Sequence, residues 1–510
     1  PVIAKSLLAL IAGAAAVLAF APFYYWPLLP LALAALFYLA LQQSPVRAAG
    51  SGLLFGVGYF GAGVHWVYVS CYEFGQMGVL LSALATLMLV LYLAIYPALC
   101  CWLAARLWGP QQRARSPSPA VYLLGLPGLW IALELVRGGL FTGFPWIAIG
   151  YSQVDGPLAG VAPLIGATGV GWLIALLAGM ILWLGQSRWR ALPGVAVILL
   201  IMAMVGLRPV EWTRPSAEPL SLALVQGNVP QLTRWDPDQV RTNIGRHLQS
   251  SEPFWGVDLL VWPENAIPAF VETLPDGLMP ALEQMAERQQ TDLLVGMPLG
   301  DPVAGSYFNG IRLIQQGEAG AYRKRHLVPF GEYVPLRNLF GGLLDLLQVP
   351  MSAFSRGEAG QGPLALRFSQ QLVAPSICYE ILFPAEVLQM LPEAGILVNI
   401  SNDAWFGDSI APHQHLQIAR MRAIESGRPL ARATNSGITA LVNWRGEVIA
   451  QAPQFTQTVL TGTLQPRQGS TPYVLVGDWP LRGILLFSLL FLYRQRRRSL
   501  ASFPVNPTSS

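Results

Sequence analysis

Eight apolar stretches constrain the fold of this chain more than any other feature of its sequence. A helix needs about 20 apolar residues to cross a hydrocarbon layer about 30 Å thick. Stretches of about this length span residues 3–21, 25–42, 49–70, 78–104, 119–136, 163–186, 191–207 and 473–493. The pattern predicts eight transmembrane helices and argues against a wholly soluble protein. The share of charged residues, 12%, agrees, since it is about half the usual value.

Charged residues separate the apolar part of the chain from a globular part. Residues 1–207 contain only 3 acidic and 8 basic side chains, whereas residues 208–472 contain 24 acidic and 19 basic side chains. We therefore predict a membrane domain of seven helices at 1–207 and a folded globular domain at 208–472. An eighth helix at 473–493 and a basic tail at 494–510 complete the predicted organisation.

The arginines and lysines predict the orientation in the membrane, because both are retained on the cytoplasmic side. If the N-terminus is cytoplasmic, the loops and tail on that side carry 11 cations, which are Lys5, Arg47, Arg106, Arg113, Arg115, Arg188, Arg190, Arg494, Arg496, Arg497 and Arg498. The short loops on the other side carry only Arg137, with Arg482 at the outer edge of the last helix. The bias predicts cytoplasmic termini and an external globular domain. A cleaved signal peptide is the alternative for the first stretch, but the loop parity requires that stretch to stay.

The globular domain has the pattern of a layered α/β fold. Runs rich in β-forming residues alternate with helical runs along the chain. The β-rich runs lie at 220–229, 258–267, 292–299, 395–400 and 429–442, and the helical runs lie at 238–249, 277–290 and 414–425. Continuous apolar strands between helices indicate a sheet that is covered on its face.

Cys378 is the only cysteine of the predicted globular domain. It follows the apolar run 372–377 and precedes a predicted helix, an arrangement that exposes a side chain at the end of a strand. A thiol becomes nucleophilic when a neighbouring group takes its proton, so a catalytic role requires a base nearby. A buried, inert cysteine is the alternative, and it is the commoner fate of an unpaired thiol.

Two other residues near predicted strand ends can complete a catalytic group. Glu264 ends an apolar strand at a proline-containing turn, where a carboxylate acts either as a base or merely as a turn cap. Lys324 is one of only two lysines in the chain, and the other cations of the globular domain are arginines. A compact ammonium at this one position suggests a specific need for it, with chance as the alternative. Strand ends at one edge of a sheet are where active sites assemble.

Four segments occur in the order that characterises the nitrilase superfamily, and on them the globular domain resembles that superfamily. They are Val-Gln-Gly-Asn at 225–228, Trp-Pro-Glu ending at Glu264, Lys324 with His326, and Cys-Tyr-Glu beginning at Cys378. The resemblance implies an αββα sandwich and a Glu–Lys–Cys triad. The expected fold is therefore a multi-span helical membrane domain with eight helices plus an extracytoplasmic, nitrilase-like α/β sandwich.

The membrane stretches narrow this resemblance to one branch of the superfamily. The segment 399–406 fits the superfamily as a whole, whereas 142–146 and 326–335 resemble the bacterial apolipoprotein N-acyltransferases. That resemblance implies acyl transfer from a phospholipid, typically the sn-1 position of phosphatidylethanolamine, to the free amine of a diacylglyceryl-cysteine lipoprotein. A thioester on Cys378 is the implied intermediate. The implied location is the bacterial inner membrane, with the catalytic domain in the periplasm.

The same resemblance assigns roles to individual residues. The expected catalytic residues are Glu264 as base, Lys324 as donor to the oxyanion and Cys378 as nucleophile. The expected supporting residues are the carboxylates Glu332 and Glu380 and the substrate-pocket aromatics Tyr379, Phe330, Trp235 and Trp146, with ordinary packing as the alternative. We expect no metal, no organic cofactor, no nucleic-acid partner and a monomeric enzyme.

Two further features each have a functional and a structural interpretation. The apolar segment 336–354, with a Gly-Gly pair at 341–342, is either a lid that contacts lipid or buried core. Glu134 and Arg137 lie three residues apart in a membrane stretch, where charges are costly, and we interpret them as a structural pair at the interface.

Two other functions compete with acyl transfer. A membrane-anchored amidase of the nitrilase type would keep the triad, but eight helices exceed the needs of an anchor. A transporter with a periplasmic binding domain would need polar residues along its helices, and these helices have few. Release of lysophospholipid distinguishes the acyltransferase from both.

Overall fold

The computed structural model describes residues 2–110, 118–186, 202, 205–301, 305–316, 320–333 and 354–501. The chain forms two compact units. The first contains Pro1–His65, Leu87–Pro209 and Val476–Ser510, and the second contains Trp66–Thr86 and Val210–Leu475. The second unit therefore includes a short segment from within the apolar part of the sequence.

Most of the first unit is helical, and helices also flank the sheets of the second. The α-helices whose bounds the structure defines are α1 (Val2–Ala16), α2 (Leu28–Gln42), α3 (Pro45–Gly63), α4 (Trp66–Val69), α5 (Val79–Trp108), α6 (Leu126–Arg137), α7 (Ala162–Gln186), α8 (Pro237–Ser251), α9 (Leu278–Gln289), α10 (Pro384–Val387), α11 (Ala411–Ser426), α12 (Pro472–Val476) and α13 (Trp479–Ala501). Local sequence sets several of their ends. Pro45 occupies the first turn of α3, where its missing N–H costs nothing. Asp236 caps α8 by accepting a hydrogen bond from the Asp238 N–H at 3.0 Å.

Several helices have the length and apolar composition of a membrane crossing. In the described part of the chain these are Val2–Ala19, Val79–Trp108 and Ala159–Gly185. A fourth crossing is added if Pro45–Gly63 and Trp66–Phe74, which are bent by 53° at the break between them, form one broken span. Leu28–Gln42 is apolar but shorter. The helical, apolar character of a membrane domain is therefore present.

The predicted total of eight crossings remains a prediction. The stretch at 119–136 begins with a π-helical turn, Val121–Gly125, before α6. The stretch at 191–207 lies almost wholly outside the described residues. The stretch at 473–493 falls on α12 and α13.

Glycines let neighbouring helices of the first unit approach closely. A Cβ atom at Gly58 in α3 would collide with the carbonyl oxygen of Leu10 in α1. One at Gly52 would collide with the carbonyl oxygen of Pro97 in α5. Such contact between backbones is typical of helices in lipid, where association relies on close packing rather than on the exclusion of water.

The second unit contains the β-structure of the chain. The strands that the structure defines are β1 (Arg214–Pro215), β2 (Leu220–Gln226), β3 (Leu259–Val261), β4 (Asp292–Asp301), β5 (Ser306–Ile314), β6 (Ala321–Arg323), β7 (Leu364–Ala365), β8 (Leu372–Ile377), β9 (Ile396–Ser401), β10 (Leu430–Thr434), β11 (Ala440–Val442), β12 (Val448–Gln451), β13 (Thr458–Leu464) and β14 (Arg467–Gln468). β1 and β14 form a separate two-stranded ribbon.

Two six-stranded sheets form the centre of this unit. Their strand orders are β13-β2-β3-β4-β5-β6 and β12-β11-β10-β9-β8-β7. The central strands β2, β3 and β4 pair in parallel, as do β8, β9 and β10. Strand β2 contacts β10 across the two sheets, while α8 contacts β2 and α11 contacts β10. Their central strands are buried, which explains their continuous apolar sequences. The predicted α/β layering is confirmed.

Two predicted strands differ from the observed ones for local reasons. The run 258–267 yields only β3, because a proline at 263 cannot donate to a sheet. The run 429–442 is two antiparallel strands, with Leu430 of β10 opposite Val442 of β11. The Asn-Ser-Gly sequence at 435–437 favours a turn between them.

The segment Trp66–Thr86 belongs to the second unit through contacts with the turn that follows β9. The ring of Trp66 lies 4.8 Å from the ring of Phe406, edge to face. The hydroxyl of Ser70 donates to the carbonyl of Trp405 at 2.7 Å. Residues more than 300 positions apart in sequence therefore form one packed region.

Candidate active site

Strand ends supply the three residues predicted to be catalytic. Glu264 follows β3 beyond a buried Trp-Pro pair, Lys324 directly follows β6, and Cys378 directly follows β8. The backbone N–H of Lys324 donates to the carbonyl of Asn309 at 2.8 Å, which continues the pairing between β6 and β5. The backbone at Lys324 is thus held by the sheet itself.

A buried cluster of charges links two of these strand ends. The Nζ of Lys324 lies 2.8 Å from Oε1 of Glu332 and 3.5 Å from Oε1 of Glu264. The side-chain nitrogen of Asn309 donates to the same two oxygens, at 2.8 Å and 2.7 Å respectively. Lys324 is only 1% exposed. A buried ion is tolerated only when it has partners, and here each of the two oxygens has two donors.

The neighbouring carboxylates keep Lys324 charged. Burial alone would lower the pKa of Lys324, but Glu332 and Glu264 outweigh that effect and raise the pKa above its ordinary value. The ammonium therefore remains protonated at physiological pH. It is suited to stabilising negative charge rather than to accepting a proton.

Hydrogen bonds fix both the side-chain carboxylate and the backbone carbonyl of Glu264. Its Oε2 accepts a hydrogen bond from the backbone N–H of Asn402 at 2.7 Å. Its backbone carbonyl accepts one from Nη1 of Arg234 at 2.9 Å. Both Glu264 and Arg234 are buried. The carboxylate therefore presents one orientation, which is what a base in a preorganised site needs.

Cys378 lies in an unusual backbone conformation. Its φ angle is +51°, in the left-handed region that residues with a side chain rarely adopt. Such a conformation costs about 1–3 kcal/mol and persists only when the surroundings enforce it. The preceding N–H, that of Ile377, donates to Oε2 of Glu380 at 2.8 Å. The sharp turn between β8 and the 3₁₀-helical turn Cys378–Leu382 is therefore held by a side chain within it.

Glu380 also joins this turn to the segment around Lys324. Its Oε1 accepts hydrogen bonds from the backbone N–H groups of Arg325 at 2.6 Å and His326 at 3.2 Å. The hydroxyl of Tyr322 donates to both carboxylate oxygens at 3.0 Å. Burial raises the pKa of Glu380 to about 7, despite the opposing influence of Lys324 and of these N–H groups. One carboxyl group thus ties two strand ends together.

The thiol of Cys378 is protonated in the resting site. Burial and the charge of Glu264 raise the pKa of Cys378 to about 12, and Lys324 acts in the opposite direction. At this pKa the thiol is therefore not ionised near neutral pH. The proton has to leave during the attack on a substrate, and a carboxylate that interacts with the thiol is the group to take it.

The four aromatic residues predicted to line a substrate pocket differ in how much of each side chain is exposed. Tyr379 is buried, with its ring 5.3 Å from the ring of Phe383. Phe330 and Trp235 are 58% and 44% exposed. Trp146 lies in the first unit, where it is buried. Phe330 and Trp235 are therefore the members of this group that are open to a ligand of the second unit.

The two ambiguous sequence features have different outcomes. Nη1 of Arg137 donates to the carbonyls of Phe144 and Trp146 at 2.6 Å and 2.9 Å, and its guanidinium lies 3.7 Å from Glu134. These contacts agree with a structural role for the pair. The predicted lid at 336–354 lies, except for its last residue, outside the described residues.

Several site residues were not found from the sequence. Asn309 lies inside β5, where nothing in the local pattern marks it. Asn402 contributes a backbone N–H, which any residue carries. His415 contacts both Asp403 and the carbonyl of Cys378, and the sequence pattern assigned no role to either His415 or Asp403. Side chains that act through tertiary contacts leave no spacing signal.

Comparisons with known proteins identify the family of the chain. Residues 221–473 match the family model for carbon-nitrogen hydrolases, and residues 12–180 match the model for the N-terminal domain of apolipoprotein N-acyltransferase. An apolipoprotein N-acyltransferase of Methylococcus capsulatus is 44% identical over 97% of each chain. One from Pseudomonas aeruginosa is 42% identical over 95% of each chain. One from Nitrosomonas europaea is 42% identical over 96% of this chain and 97% of its own.

Among solved structures, Nit3 of Saccharomyces cerevisiae, a member of the nitrilase superfamily, has a TM-score of 0.38 at 18% identity and covers 49% of this chain and 93% of its own. An amidase from Nesterenkonia has a TM-score of 0.33 at 18% identity and covers 53% of this chain and 96% of its own. The second unit, with its carboxylate–lysine–cysteine group at the strand ends, is a domain of the carbon-nitrogen hydrolase class. The relatives above are 42–44% identical to this chain over nearly its full length, and the chain therefore belongs to the apolipoprotein N-acyltransferase family.

Proposed function

We propose that this chain transfers a fatty acyl group from a phospholipid to the N-terminal amine of a diacylglyceryl-cysteine lipoprotein, through a thioester on Cys378. N-acylation of apolipoproteins is the activity that names its family. The observation that carries the proposal is the buried cluster of Glu264, Lys324, Asn309 and Glu332. Two of its members, Glu264 and Lys324, act electrostatically on the thiol of Cys378 at a strand end.

The first half-reaction forms the thioester. Glu264 takes the proton of the Cys378 thiol as the sulfur attacks the ester carbonyl of the phospholipid. The carbonyl oxygen becomes an oxyanion, and Lys324 stabilises it. Loss of one such donor typically costs about 3 kcal/mol, or about a hundredfold in rate. The glycerol oxygen then leaves as lysophospholipid, and Glu264 returns the proton to it.

The second half-reaction consumes the thioester. The free amine of the lipoprotein attacks the thioester carbonyl, and Glu264 accepts a proton from the attacking nitrogen. Lys324 again stabilises the oxyanion. The bond to sulfur breaks, the amide forms, and the proton passes from Glu264 to the sulfur of Cys378. The cycle is therefore a ping-pong reaction with one covalent intermediate and no net change in the protein.

Glu332 supports both steps without a proton transfer of its own. Its Oε1 lies 2.8 Å from the Nζ of Lys324 and accepts from Asn309, and its Oε2 accepts from the backbone N–H of Val328 at 2.8 Å. The carboxylate of Glu332 supplies the second negative charge that keeps Lys324 protonated, and its hydrogen bonds hold the ammonium in place. Glu380 has the corresponding role for the turn that carries Cys378.

Membrane placement completes the proposal. Apolar helices and family membership make the chain a membrane protein. We further propose eight crossings in the bacterial inner membrane, cytoplasmic termini and a periplasmic catalytic unit, on the charge bias of the loops. Phosphatidylethanolamine is the proposed donor and a monomer the proposed state.

Incubation of the purified protein with phospholipid alone tests the mechanism. We expect the mass of the peptide that contains Cys378 to increase by one acyl chain, with release of one equivalent of lysophospholipid. Cys378→Ala should give neither product. Lysophospholipid release by Cys378→Ala, or free fatty acid without an acylated cysteine in the unmodified protein, would contradict the proposal.

A further inference from the structure

A second buried group of polar residues touches the nucleophile turn through its main chain. It consists of Asp403 after β9, His415 on α11 and Arg432 on β10, and each is no more than 1% exposed. Nε2 of His415 lies 3.2 Å from the carbonyl oxygen of Cys378. Nη2 of Arg432 donates to Oδ2 of Asp403 at 2.8 Å, and the hydroxyl of Ser401 donates to Oδ1 at 2.7 Å.

These contacts define which nitrogen of His415 carries a hydrogen. The carbonyl oxygen of Cys378 can only accept, so Nε2 must be the N–H. Nδ1 lies 2.9 Å from Nη2 of Arg432, which can only donate, and 3.0 Å from Oδ1 of Asp403. Burial and the charge of Arg432 lower the pKa of His415, despite the opposing charge of Asp403. A neutral ring with its hydrogen on Nε2 satisfies the contact with the Cys378 carbonyl and accepts a hydrogen bond from Nη2 of Arg432, which also donates to Oδ2 of Asp403. Oδ1 of Asp403 then lies beside Nδ1 as a second acceptor and receives its hydrogen bond from Ser401.

The hydrogen bond from His415 to the Cys378 carbonyl restrains the backbone of the nucleophile turn. The residue is held in the left-handed region at φ +51°, and the backbone before and after it is restrained by different side chains. Glu380 binds the N–H of Ile377, one peptide before the one that joins Ile377 to Cys378, and His415 binds the carbonyl of Cys378 itself. The bond from His415 therefore restrains the peptide that follows Cys378, and with it the direction of the Cα–Cβ bond and the region that Sγ can reach.

We propose that His415 is a positioning residue for the nucleophile. Its Nε2–H holds the carbonyl of Cys378, and Arg432, itself bound to Asp403, donates to Nδ1 and so holds the ring and its tautomer, so that Sγ stays where Glu264 and Lys324 can act on it. The inference rests on the proposed acyl transfer. It adds a residue that contacts neither the ester nor the thiol, and whose loss slows acylation of Cys378 without weakening phospholipid binding.

Two amide substitutions of His415 separate positioning from packing. In His415→Gln the side-chain nitrogen reaches the place of Nε2 and can still donate to the Cys378 carbonyl. In His415→Asn the amide reaches only the place of Nδ1, so its oxygen can still accept from Arg432, and the bond to the carbonyl is lost. Both variants bury one polar amide, so a purely structural role predicts similar behaviour for them.

The measurement is single-turnover acylation of Cys378 by phospholipid in detergent, with the limiting rate and the half-saturating concentration obtained separately. We expect the limiting rate of His415→Asn to fall about tenfold or more, the value of one buried hydrogen bond. The half-saturating concentration should stay within about twofold of that of the unmodified protein, and His415→Gln should recover most of the rate. Equal limiting rates for the two variants would overturn the proposal.

Alkylation of Cys378 by iodoacetamide provides a readout that does not depend on acyl transfer. A small reagent needs no defined direction of Sγ, so its rate in His415→Asn should stay within about threefold of that of the unmodified protein. A parallel fall in alkylation and acylation would show a damaged fold and refute positioning. If the unmodified protein is alkylated but never acylated by phospholipid, the proposed acyl transfer fails, and that result is distinct from either outcome of the His415 variants.

Discussion

At the scale of single residues, the surroundings of Cys378, the proposed nucleophile, raise the pKa of its thiol through burial and the charge of Glu264. In the proposed mechanism the same Glu264 then removes the proton during attack. Lys324, held by two carboxylates, cannot lower that pKa enough to release a thiolate. A thiol of this kind reacts with oxidants and alkylating reagents more slowly than an ordinary thiol near neutral pH and faster as the pH rises, because both reactions use the thiolate.

Glu264→Gln should change the acidity of Cys378 and its activity in opposite directions. The substitution removes the negative charge that raises the pKa of Cys378 and leaves the positive charge of Lys324. The apparent pKa of the thiol, measured from the pH dependence of iodoacetamide alkylation, should therefore fall, while acylation by phospholipid is lost. Glu447→Gln, which changes an exposed carboxylate of the same unit, should alter neither. An apparent pKa that stays the same or rises would refute the assignment of Glu264.

Lys324→Arg should be nearly inactive although it keeps the charge. Lys324 is 1% exposed and its Nζ contacts Glu332 at 2.8 Å, so a longer, planar guanidinium cannot occupy the same place. We expect the single-turnover rate of Cys378 acylation to fall about a hundredfold. The control is Arg323→Lys, at an exposed neighbour whose guanidinium lies over the ring of Phe308, and it should remain close to the unmodified protein. A Lys324→Arg rate within about threefold of normal would remove Lys324 from the catalytic set.

At the scale of secondary structure, the site depends on how closely the strand ends approach each other. Gly296 in β4 is the clearest case. A Cβ atom at Gly296 would lie 2.8 Å from the Cα of Glu264 and 2.8 Å from Cδ1 of Ile400, both too short for real contacts. The backbone N–H of Ile267 also donates to the carbonyl of Gly296 at 3.2 Å. Because Gly296 has no side chain, the turn that carries Glu264 can pack closely against β4.

Gly296→Ala should impair acylation by displacing Glu264. Neither backbone can give way without breaking sheet pairing, so we expect a loss of about tenfold or more in acylation rate and about 1–3 kcal/mol in stability. The matched control is Gly245→Ala in α8, where a Cβ meets nothing within 4 Å and alanine favours the helix. Thermal unfolding and single-turnover rates of the two variants provide the comparison. Full activity in Gly296→Ala would show that the turn is not so constrained.

The same scale explains what the sequence could and could not predict. Cys378 and Glu264 were predicted as site residues because each ends an apolar strand, and a strand end is visible as a change of pattern. Lys324 was predicted because lysine is rare in this chain. Asn309 and His415 lie within a strand and a helix, where a polar residue looks like any other. Their importance arises from strand register and from the packing of α11 against β10, which local patterns do not determine.

The backbone N–H groups that bind the carboxylates of the site could not be predicted from the sequence, for a related reason. The N–H groups of Asn402, Arg325 and His326 bind the carboxylates of the site, and every residue except proline has such a group. The left-handed conformation of Cys378 was also not foreseeable, because no glycine marks it. The sequence could therefore predict candidate catalytic side chains, whereas the backbone groups that orient them are recognisable only in the folded structure.

At the scale of the whole molecule, the proposed orientation can be tested by fusion to reporters. A reporter that is active only in the periplasm should be active when joined after residue 350. A reporter that is active only in the cytoplasm should be active when joined after Arg498. The expectation follows from the excess of arginine and lysine in the loops assigned to the cytoplasm. The reverse pattern would invert the topology and place the catalytic unit in the cytoplasm.

The inclusion of Trp66–Thr86 in the second unit affects how this enzyme can be divided or rearranged. A fragment that begins at residue 210 would lack the ring that covers Phe406 and the hydroxyl that binds the Trp405 carbonyl. That turn follows Asn402, whose N–H binds the carboxylate of Glu264, the proposed base. The compact unit that carries the proposed site therefore has a component from within the apolar part of the chain, and an exchange of the membrane helices for a simple anchor, by genetic recombination or in the laboratory, would remove these contacts together with the helices.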